Sequence, residues 1–199
     1  HDNNTIEKVK AQYNVLTGEI GDVISYWPLL TYLDLESNDL TGVIPPYFGS
    51  MVRLEFLYLS GNTLSSDLSF LRNGGGNQYK HLWLDKTTIQ GPLFSELGSL
   101  PALQSLSLRS CGISGEIPTE LGLLQDLEYL GLKSNNLSGT IPKELGRLQN
   151  LKGLEVQSNG LGGSMPGEIC SLVPSPLKEL RADCQDNTPV TCTCCTTCL

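Results

Sequence analysis

The sequence predicts an elongated α/β solenoid, in which short coils stack side by side and share a parallel β-sheet along one face. Three observations carry this prediction. Residues 103–126 (LQSLSLRSCGISGEIPTELGLLQD) and 127–150 (LEYLGLKSNNLSGTIPKELGRLQN) are two copies of one 24-residue pattern, with no gap between them. Aliphatic residues recur at seven matching positions of the two copies. Each copy also contains an LxL step, whose period of two is typical of a short strand.

The same frame extends over most of the chain. It predicts seven full coils, at residues 6–29, 30–53, 54–78, 79–102, 103–126, 127–150 and 151–176. The first coil is degenerate, and suits either an edge position or a coil cut from a longer array. Residues 1–5 are an N-terminal extension, and residues 177–199 begin a partial eighth coil that ends in a cysteine-rich cap.

A polar residue follows the strand in each coil and is expected to turn the chain. A side-chain amide there can hydrogen-bond the backbone groups that the turn leaves unpaired. The position is occupied by Asn14, Asn38, Asn62, Asn135 and Asn159, and elsewhere by Thr87, Cys111 and Cys184. We expect Cys111 to be a buried free thiol at this position and not a nucleophile.

The next segment reads LTGVIP at residues 40–45, ISGEIP at 113–118 and LSGTIP at 137–142. Glycine permits a tight backbone there, and proline blocks helix continuation. This LSGxIPxxLGxL pattern resembles the plant-type leucine-rich repeats of receptor-kinase ectodomains and polygalacturonase-inhibiting proteins, over roughly residues 6–180. The resemblance implies a right-handed superhelix with a concave parallel sheet, and a second short strand at each SGxIP segment. The paired-cysteine N-terminal cap of those proteins is not found, so another element covers the first coil or the cap is missing from this chain.

Five of the seven cysteines lie after residue 183. Residues 184–199 resemble the cysteine-rich end of leucine-rich-repeat proteins from diatoms and related microalgae. Six cysteines are expected to form three disulfides that cap the last coil, with the pairing left open: Cys170, Cys184, Cys192, Cys194, Cys195 and Cys198. A zinc site is the alternative, because CxCCxxC is dense in thiolates. Its spacing is tighter than in zinc knuckles and no histidine is near, so no metal is predicted.

Composition excludes several functional classes. A formal charge of -8 and a pI near 4.7 argue against binding nucleic acid or an anionic membrane. No apolar run approaches the roughly 18 residues that would span a bilayer. With two histidines, and without GxSxG or HExxH, the chain is predicted not to be an enzyme and to need no cofactor. The glycine run at residues 72–78 lacks the lysine of a P-loop and is expected to be a flexible convex loop, with ligand binding as the minor alternative.

The cysteines and two glycosylation triplets indicate an extracellular or cell-surface location. Clustered cysteines are typical of an oxidising compartment. The acceptor asparagines are Asn3 and Asn136.

The outward-facing strand positions predict a ligand-binding surface on the concave face. Aromatic residues gather on three adjacent coils, beside acidic residues and then basic ones, and exposed aromatic side chains are typical binding hot spots. The predicted site residues are Tyr32, Asp34, Glu36, Phe56, Tyr58, His81, Trp83, Asp85, Arg109, Tyr129 and Lys133. The alternative is that the rings only pack on one another along the sheet. Asp34 and Glu36 lie on one strand face, where a solvated acidic patch is favoured over a catalytic acid pair.

These features predict an extracellular recognition module that binds a protein, peptide or glycan on its concave face, as a receptor ectodomain or a secreted protein. One alternative is a structural or adhesive subunit of a larger extracellular or organellar assembly. An inhibitor of a wall-degrading hydrolase is a narrower case of recognition. Repeat scaffolds fix the shape and leave the surface residues free, so the ligand is not specified by the pattern.

Overall fold

The computed structural model describes residues 5–72, 78–184 and 190–198. Its main feature is a parallel sheet of nine strands in sequence order, which we call the concave sheet. The strands are Lys8–Lys10, Tyr32–Asp34, Phe56–Tyr58, His81–Trp83, Ser105–Ser107, Tyr129–Gly131, Gly153–Glu155, Glu179–Ala182 and Thr197–Cys198. The predicted leucine-rich-repeat solenoid is confirmed.

The strands are aligned so that equivalent repeat positions lie side by side. Leu106 pairs with Leu82 on one side and with Leu130 on the other, so the first leucine of the LxL step points inward in these coils. These leucines are fully buried and belong to one continuous hydrophobic core that runs along the solenoid. Burying a leucine side chain contributes about 1.5–3 kcal/mol, so the repeated aliphatic positions hold successive coils together.

A second set of short strands follows the turn, as the plant-type resemblance implied. One sheet contains Thr17–Glu19, Asp39–Val43, Thr63–Ser66 and Thr88–Ile89. Two pairs continue the same side of the solenoid, namely Ser114–Gly115 with Asn136–Leu137, and Gly163–Ser164 with Val190–Thr191.

Between the two strand sets the asparagines form the expected ladder. The Asn135 amide nitrogen donates to the carbonyl oxygens of Leu108 and Leu132, both at 2.8 Å. Its oxygen accepts from the backbone N–H groups of Cys111 at 3.0 Å and Ile113 at 3.2 Å. Cys111 is a buried free cysteine, as predicted, and burial raises the pKa of its thiol to about 11.

The opposite side of the solenoid consists almost entirely of slim 3-10 turns. They span Asp22–Tyr26, Pro46–Ser50, Ser69–Leu71, Ser95–Ser99, Thr119–Leu123 and Lys143–Arg147, and the one α-helix among the described residues is Gly167–Cys170. Adjacent turns are in backbone contact at glycines. A Cβ atom on Gly122 would lie 2.4 Å from the Glu144 carbonyl oxygen, so only glycine allows this approach. In the part of the chain that the structure describes, no helix has the length and apolar character to cross a membrane.

The cysteine-rich tail adds one more strand to the concave sheet, because Thr197–Cys198 pairs with the strand Glu179–Ala182 of the eighth coil. All six predicted cysteines are paired, as Cys170–Cys194, Cys184–Cys198 and Cys192–Cys195. The first bridge ties the tail to the helix Gly167–Cys170, and the second ties the last strand to the eighth coil. The sulfurs of Cys184, Cys192 and Cys195 lie within 4.8 Å of one another, but as disulfides they are not the thiolates that zinc requires.

Two predictions fall outside the described residues: glycosylation of Asn3, and the loop at residues 73–77. Asn136, the other acceptor, is exposed at the start of the strand Asn136–Leu137.

Candidate functional site on the concave face

Five aromatic side chains form one contiguous cluster on the concave sheet, which we call the aromatic patch: Tyr32, Phe56, Tyr58, His81 and Trp83. The sheet register brings them together. Tyr32 pairs with Phe56 and Phe56 with His81 in one column, while Tyr58 pairs with Trp83 in the next. Ring centroids are separated by 4.8 Å between Tyr58 and Trp83, and by 5.1 Å between Phe56 and His81. The rings therefore pack on one another, as the alternative interpretation expected.

Mutual packing does not bury the whole patch. Tyr58 is only 8% exposed and forms its centre, while Tyr32, Phe56, His81 and Trp83 are half-buried and keep accessible surface around it. The patch is thus a rigid surface with an ordered core, which lowers the conformational entropy that binding would cost.

A hydrogen bond connects the centre of the patch to its histidine. The Tyr58 hydroxyl lies 2.7 Å from His81 Nδ1. Burial raises the pKa of Tyr58 to about 12, with further contributions from Tyr32, Asp34 and Glu36. Burial also lowers the pKa of His81. At neutral pH the phenol therefore keeps its proton and the imidazole is neutral, and the histidine tautomer sets which of the two groups donates the hydrogen bond.

The acidic residues Asp34 and Glu36 lie at the edge of the patch. Asp34 is only 5% exposed, and it accepts hydrogen bonds from the Tyr32 hydroxyl at 3.3 Å and from the Glu36 backbone N–H at 3.2 Å. Burial raises the pKa of Glu36, and the charges of Asp34 and Asp85 add to this effect. Asp34 therefore serves mainly to hold Tyr32, and Glu36 is the more accessible carboxylate of the two.

Beyond the patch, charged side chains from four of five consecutive coils form a chain. Arg109 binds Asp85 through Nε at 2.9 Å and reaches Glu155 through Nη1 at 3.4 Å. Arg181 contacts Glu155 through Nη1 at 3.4 Å and pairs with Glu179 through Nη2. Glu155 is only 4% exposed. The predicted acidic-to-basic gradient is thus an alternating chain of ion pairs, which we call the charge chain.

Tyr129 lies against the charge chain and away from the aromatic patch. Its hydroxyl donates to Glu155 Oε2 at 2.6 Å. A Cβ atom on Gly131 would lie 2.9 Å from the Tyr129 ring, and one on Gly153 would lie 2.8 Å from it. The two glycines therefore make room for the ring to lie along the sheet.

A recess of about 510 Å³ runs along the concave face from Trp83 past Tyr129 to Arg181. Ser105 and Ser107 lie beneath it and are only 7% and 1% exposed. The Trp83 indole N–H donates to Ser105 Oγ at 2.9 Å, and the Ser107 hydroxyl donates to Asp85 at 2.7 Å. We call this feature the concave recess.

Lys133 lies elsewhere, in a separate recess of about 390 Å³ at the rim of the sheet. It shares this rim recess with Arg109 and Asp85. The structure therefore divides the predicted strip into three parts, which are the aromatic patch, the concave recess and the rim.

Sequence reasoning identified the large side chains of the concave face, but it missed the small side chains and the charged residues of the C-terminal coils. The residues that it missed are Ser105, Ser107, Gly131, Gly153, Glu155, Glu179 and Arg181. A signal was present, because four small residues occupy neighbouring positions in the two concave columns, and a run of small side chains between large ones creates a depression.

Comparison with known proteins agrees with this architecture. Family models described as Leucine Rich repeats (2 copies) and Leucine Rich Repeat match residues 28–73, and residues 102–124 and 126–148. No curated protein matches the chain by sequence.

Solved structures of plant receptor ectodomains are similar. The ectodomain of GASSHO1/SCHENGEN3 from Arabidopsis thaliana, in complex with CASPARIAN STRIP INTEGRITY FACTOR 2, is 32% identical with a TM-score of 0.79, over 90% of this chain and 21% of that one. The Arabidopsis receptor kinase HAESA, with the peptide hormone IDA and the co-receptor SERK1, is 30% identical with a TM-score of 0.80, over 90% and 30%. The plant peptide hormone receptor RGFR1 with RGF2 is 27% identical with a TM-score of 0.80, over 95% and 29%. The chain spans less than a third of the length of each.

Proposed function

We propose that this leucine-rich-repeat solenoid is a non-enzymatic recognition module that binds an extracellular partner on its concave face. The observation that carries the proposal is the aromatic patch, where five rings lie on three adjacent strands and four of them keep accessible surface. Large aromatic side chains on a rigid surface are typical of the residues that dominate binding energy. A purely structural ring cluster would not need to face outward on the open side of a solenoid.

Two further observations support the proposal. The similar ectodomains of HAESA and RGFR1 were solved in complex with a peptide hormone and with RGF2. The three disulfides of the cap suit an oxidising compartment. We therefore place the protein outside the cell or at its surface, with Asn136 as an exposed glycosylation acceptor.

The test is affinity capture with the purified chain as bait, followed by quantitative binding of the captured partner. Trp83→Ala and Phe56→Ala are expected to weaken binding on the order of 30-fold each, the cost of losing a hot spot worth about 2 kcal/mol. Tyr58 is a poorer target, because it is buried at the centre of the patch and its loss disturbs the other rings. Tyr26→Ala is the matched control, since Tyr26 is 67% exposed on a 3-10 turn away from the concave sheet.

Circular dichroism should show the same fold for all three variants. Equal affinity of the Trp83 and Phe56 variants and the Tyr26 control would contradict the concave-face proposal.

A structural subunit is the second candidate, and a different surface favours it. Large apolar side chains are exposed on the first coil, with Tyr13 at 78% and Val15 at 82%. Beside them an apolar cavity of about 270 Å³ opens, lined by Trp27 and Leu33 among others. Exposed apolar patches mark contact surfaces. Co-purification that survives high salt and depends on Val15, but not on Trp83, would favour this function over recognition.

A further inference from the structure

We propose that the rim recess binds a single tetrahedral oxyanion, a sulfate or phosphate ester carried by the partner of the concave face. This inference rests on the proposed function and adds a charged subsite at the rim of the same sheet. The rim recess has a volume of about 390 Å³ and is lined by residues of the second to sixth coils, where their concave strands end. Its cations and hydroxyl groups outnumber the acceptors that the protein supplies to them.

The carboxylate that lines the recess is already neutralised. Asp85 accepts from the Ser107 hydroxyl and from the Arg109 backbone N–H, both at 2.7 Å, and from Arg109 Nε at 2.9 Å. Arg109 Nη2 lies 2.9 Å from the same carboxylate, and the Asp85 side chain is only 14% exposed. Glu36, two coils away, does not line the recess and hydrogen-bonds Ser60. Asp85 is therefore compensated by its own neighbours and does not need the lysines of the recess.

The two lysines of the recess have no such partner. Lys86 is exposed and Lys133 is half-buried. Neither makes a side-chain hydrogen bond or an ion pair with any residue that the structure describes. Together with Arg109 they give the recess three cations against one carboxylate, a net charge of +2, in a chain whose formal charge is -8. The recess is therefore a local positive site on an acidic protein.

Backbone pairing fixes where these groups stand. The Lys86 N–H donates to the Arg109 carbonyl oxygen at 2.8 Å. The Ser110 N–H donates to the Lys133 carbonyl oxygen at 3.0 Å, so Ser110 lies on the coil between those of the two lysines. At a strand spacing of about 4.8 Å, the lysines stand on coils about 10 Å apart. A lysine stem is about 6 Å long when extended, so both ammonium groups can reach an ion bound above Ser110.

Hydroxyl donors complete the recess. The side chains of Ser37 and Ser110 are exposed, and neither hydroxyl has a hydrogen-bond partner within the described part of the chain. Ammonium and hydroxyl groups both donate, and here they approach from different coils. An ester phosphate presents three strong acceptor oxygens, and an ester sulfate has the same tetrahedral arrangement. A carboxylate presents its acceptors in one plane, so it uses fewer of these donors at once.

The charge limits the ligand to one anionic group. A phosphate ester carries about -1.5 to -2 at neutral pH, which the two unpaired lysines balance. A polyanion would extend beyond the recess, where the formal charge of -8 repels it. The site is therefore suited to an isolated ester group on a protein or peptide partner and not to nucleic acid.

The test is titration of the ¹⁵N-labelled protein with inorganic sulfate, inorganic phosphate and acetate, followed by amide chemical shifts. Ionic strength is held constant, because salt screens exposed charges over about 10 Å at 0.1 M. Sulfate and phosphate are expected to cause saturable shifts at the amides of Lys86, Ser110 and Lys133. Acetate is expected to bind at least about fivefold more weakly.

Four substitutions localise the binding. Lys86→Gln and Lys133→Gln each remove one charge and are expected to weaken sulfate and phosphate binding at least about fivefold. Ser110→Gly removes the hydroxyl at a residue whose φ is 57°, a conformation that glycine adopts without strain, and is expected to weaken binding about threefold. Lys143→Gln is the matched control, because it removes the same charge from the convex turn Lys143–Arg147 and should leave the affinity unchanged. The amide spectrum shows that each variant is folded.

Three results with the inorganic anions would overturn the inference. They are the absence of saturable shifts at the rim recess, acetate binding as tight as that of sulfate, and equal affinity of the Lys86, Lys133 and Lys143 variants. Each of them leaves the aromatic patch, and so the proposed function, untouched.

The captured partner separates the two sources of the oxyanion. Loss of affinity after sulfatase treatment of the partner identifies a sulfate ester, and loss after phosphatase treatment identifies a phosphate ester. A partner that needs Trp83 and Phe56, but binds equally well after both treatments and to the Lys86→Gln variant, would overturn the inference while sparing the proposed function.

Discussion

Replacing Asn135 with alanine tests the physical basis of the solenoid. The side chain makes two 2.8 Å bonds to carbonyl oxygens and satisfies the backbone N–H groups of Cys111 and Ile113. Alanine would leave these two buried donors without acceptors, at about 1–3 kcal/mol each. We therefore expect a loss of about 2–6 kcal/mol, a large share of the 5–15 kcal/mol typical of a folded domain.

The assay is urea denaturation followed by circular dichroism under non-reducing conditions, so that the cap stays intact. Asn14→Ala is the matched control, because Asn14 occupies the same ladder position in the exposed first coil and, among the residues that the structure describes, its side chain bonds only Ala11 and Gln12. Hydrogen exchange of the Cys111 and Ile113 amides locates the damage if unfolding is not two-state. If the Asn135→Ala variant is as stable as the Asn14→Ala variant, the asparagine ladder does not stabilise the solenoid and the reasoning is refuted.

Two other predictions concern the convex turns and the aromatic patch. Gly122→Ala is expected to destabilise the fold by more than about 1 kcal/mol, since its Cβ would meet a carbonyl oxygen of the next coil at 2.4 Å. The control is Gly21→Ala, whose Cβ would meet nothing within 4 Å and which should be nearly neutral in the same denaturation assay. Because burial lowers the pKa of His81, its contribution to stability is present above the ordinary histidine pKa of about 6.5 and is lost as pH falls through the lowered value. The difference in stability between wild type and His81→Phe should therefore shrink as the pH falls, and a difference that is constant from pH 8 to pH 4, by thermal denaturation, would contradict this.

The coil pattern was predictable because it depends on spacing. A leucine every 24 residues is buried if coils stack, and the ladder asparagine is needed wherever the strand ends, so both follow from the sequence. The rings of the aromatic patch were also predictable, because strand alternation places them on one face. Which of these rings is buried and which stay accessible was not predictable, because the burial of Tyr58 depends on its neighbours on two adjoining strands.

The charge chain lay beyond sequence reasoning for a different reason. Arg109 and Glu155 are 46 residues apart, and the coil between them has Gly131 at the strand position that pairs with Glu155. A search of the sequence for chemically active residues passes over a glycine, because glycine has no side chain. The return of the tail to the sheet at Thr197–Cys198 was also not predictable, because it depends on which cysteines pair.

The slim turns opposite the sheet determine how far the coils splay. A solenoid bends when the distance between successive coils is larger on its outer side than between its strands. Full α-helices on the outer side, each about 10 Å across, have this effect. Here 3-10 turns touch backbone to backbone at glycines such as Gly122, so the outer spacing stays close to that of the strands. We therefore expect the rod to bow only gently, because close backbone contact on the outer side keeps successive coils from fanning apart.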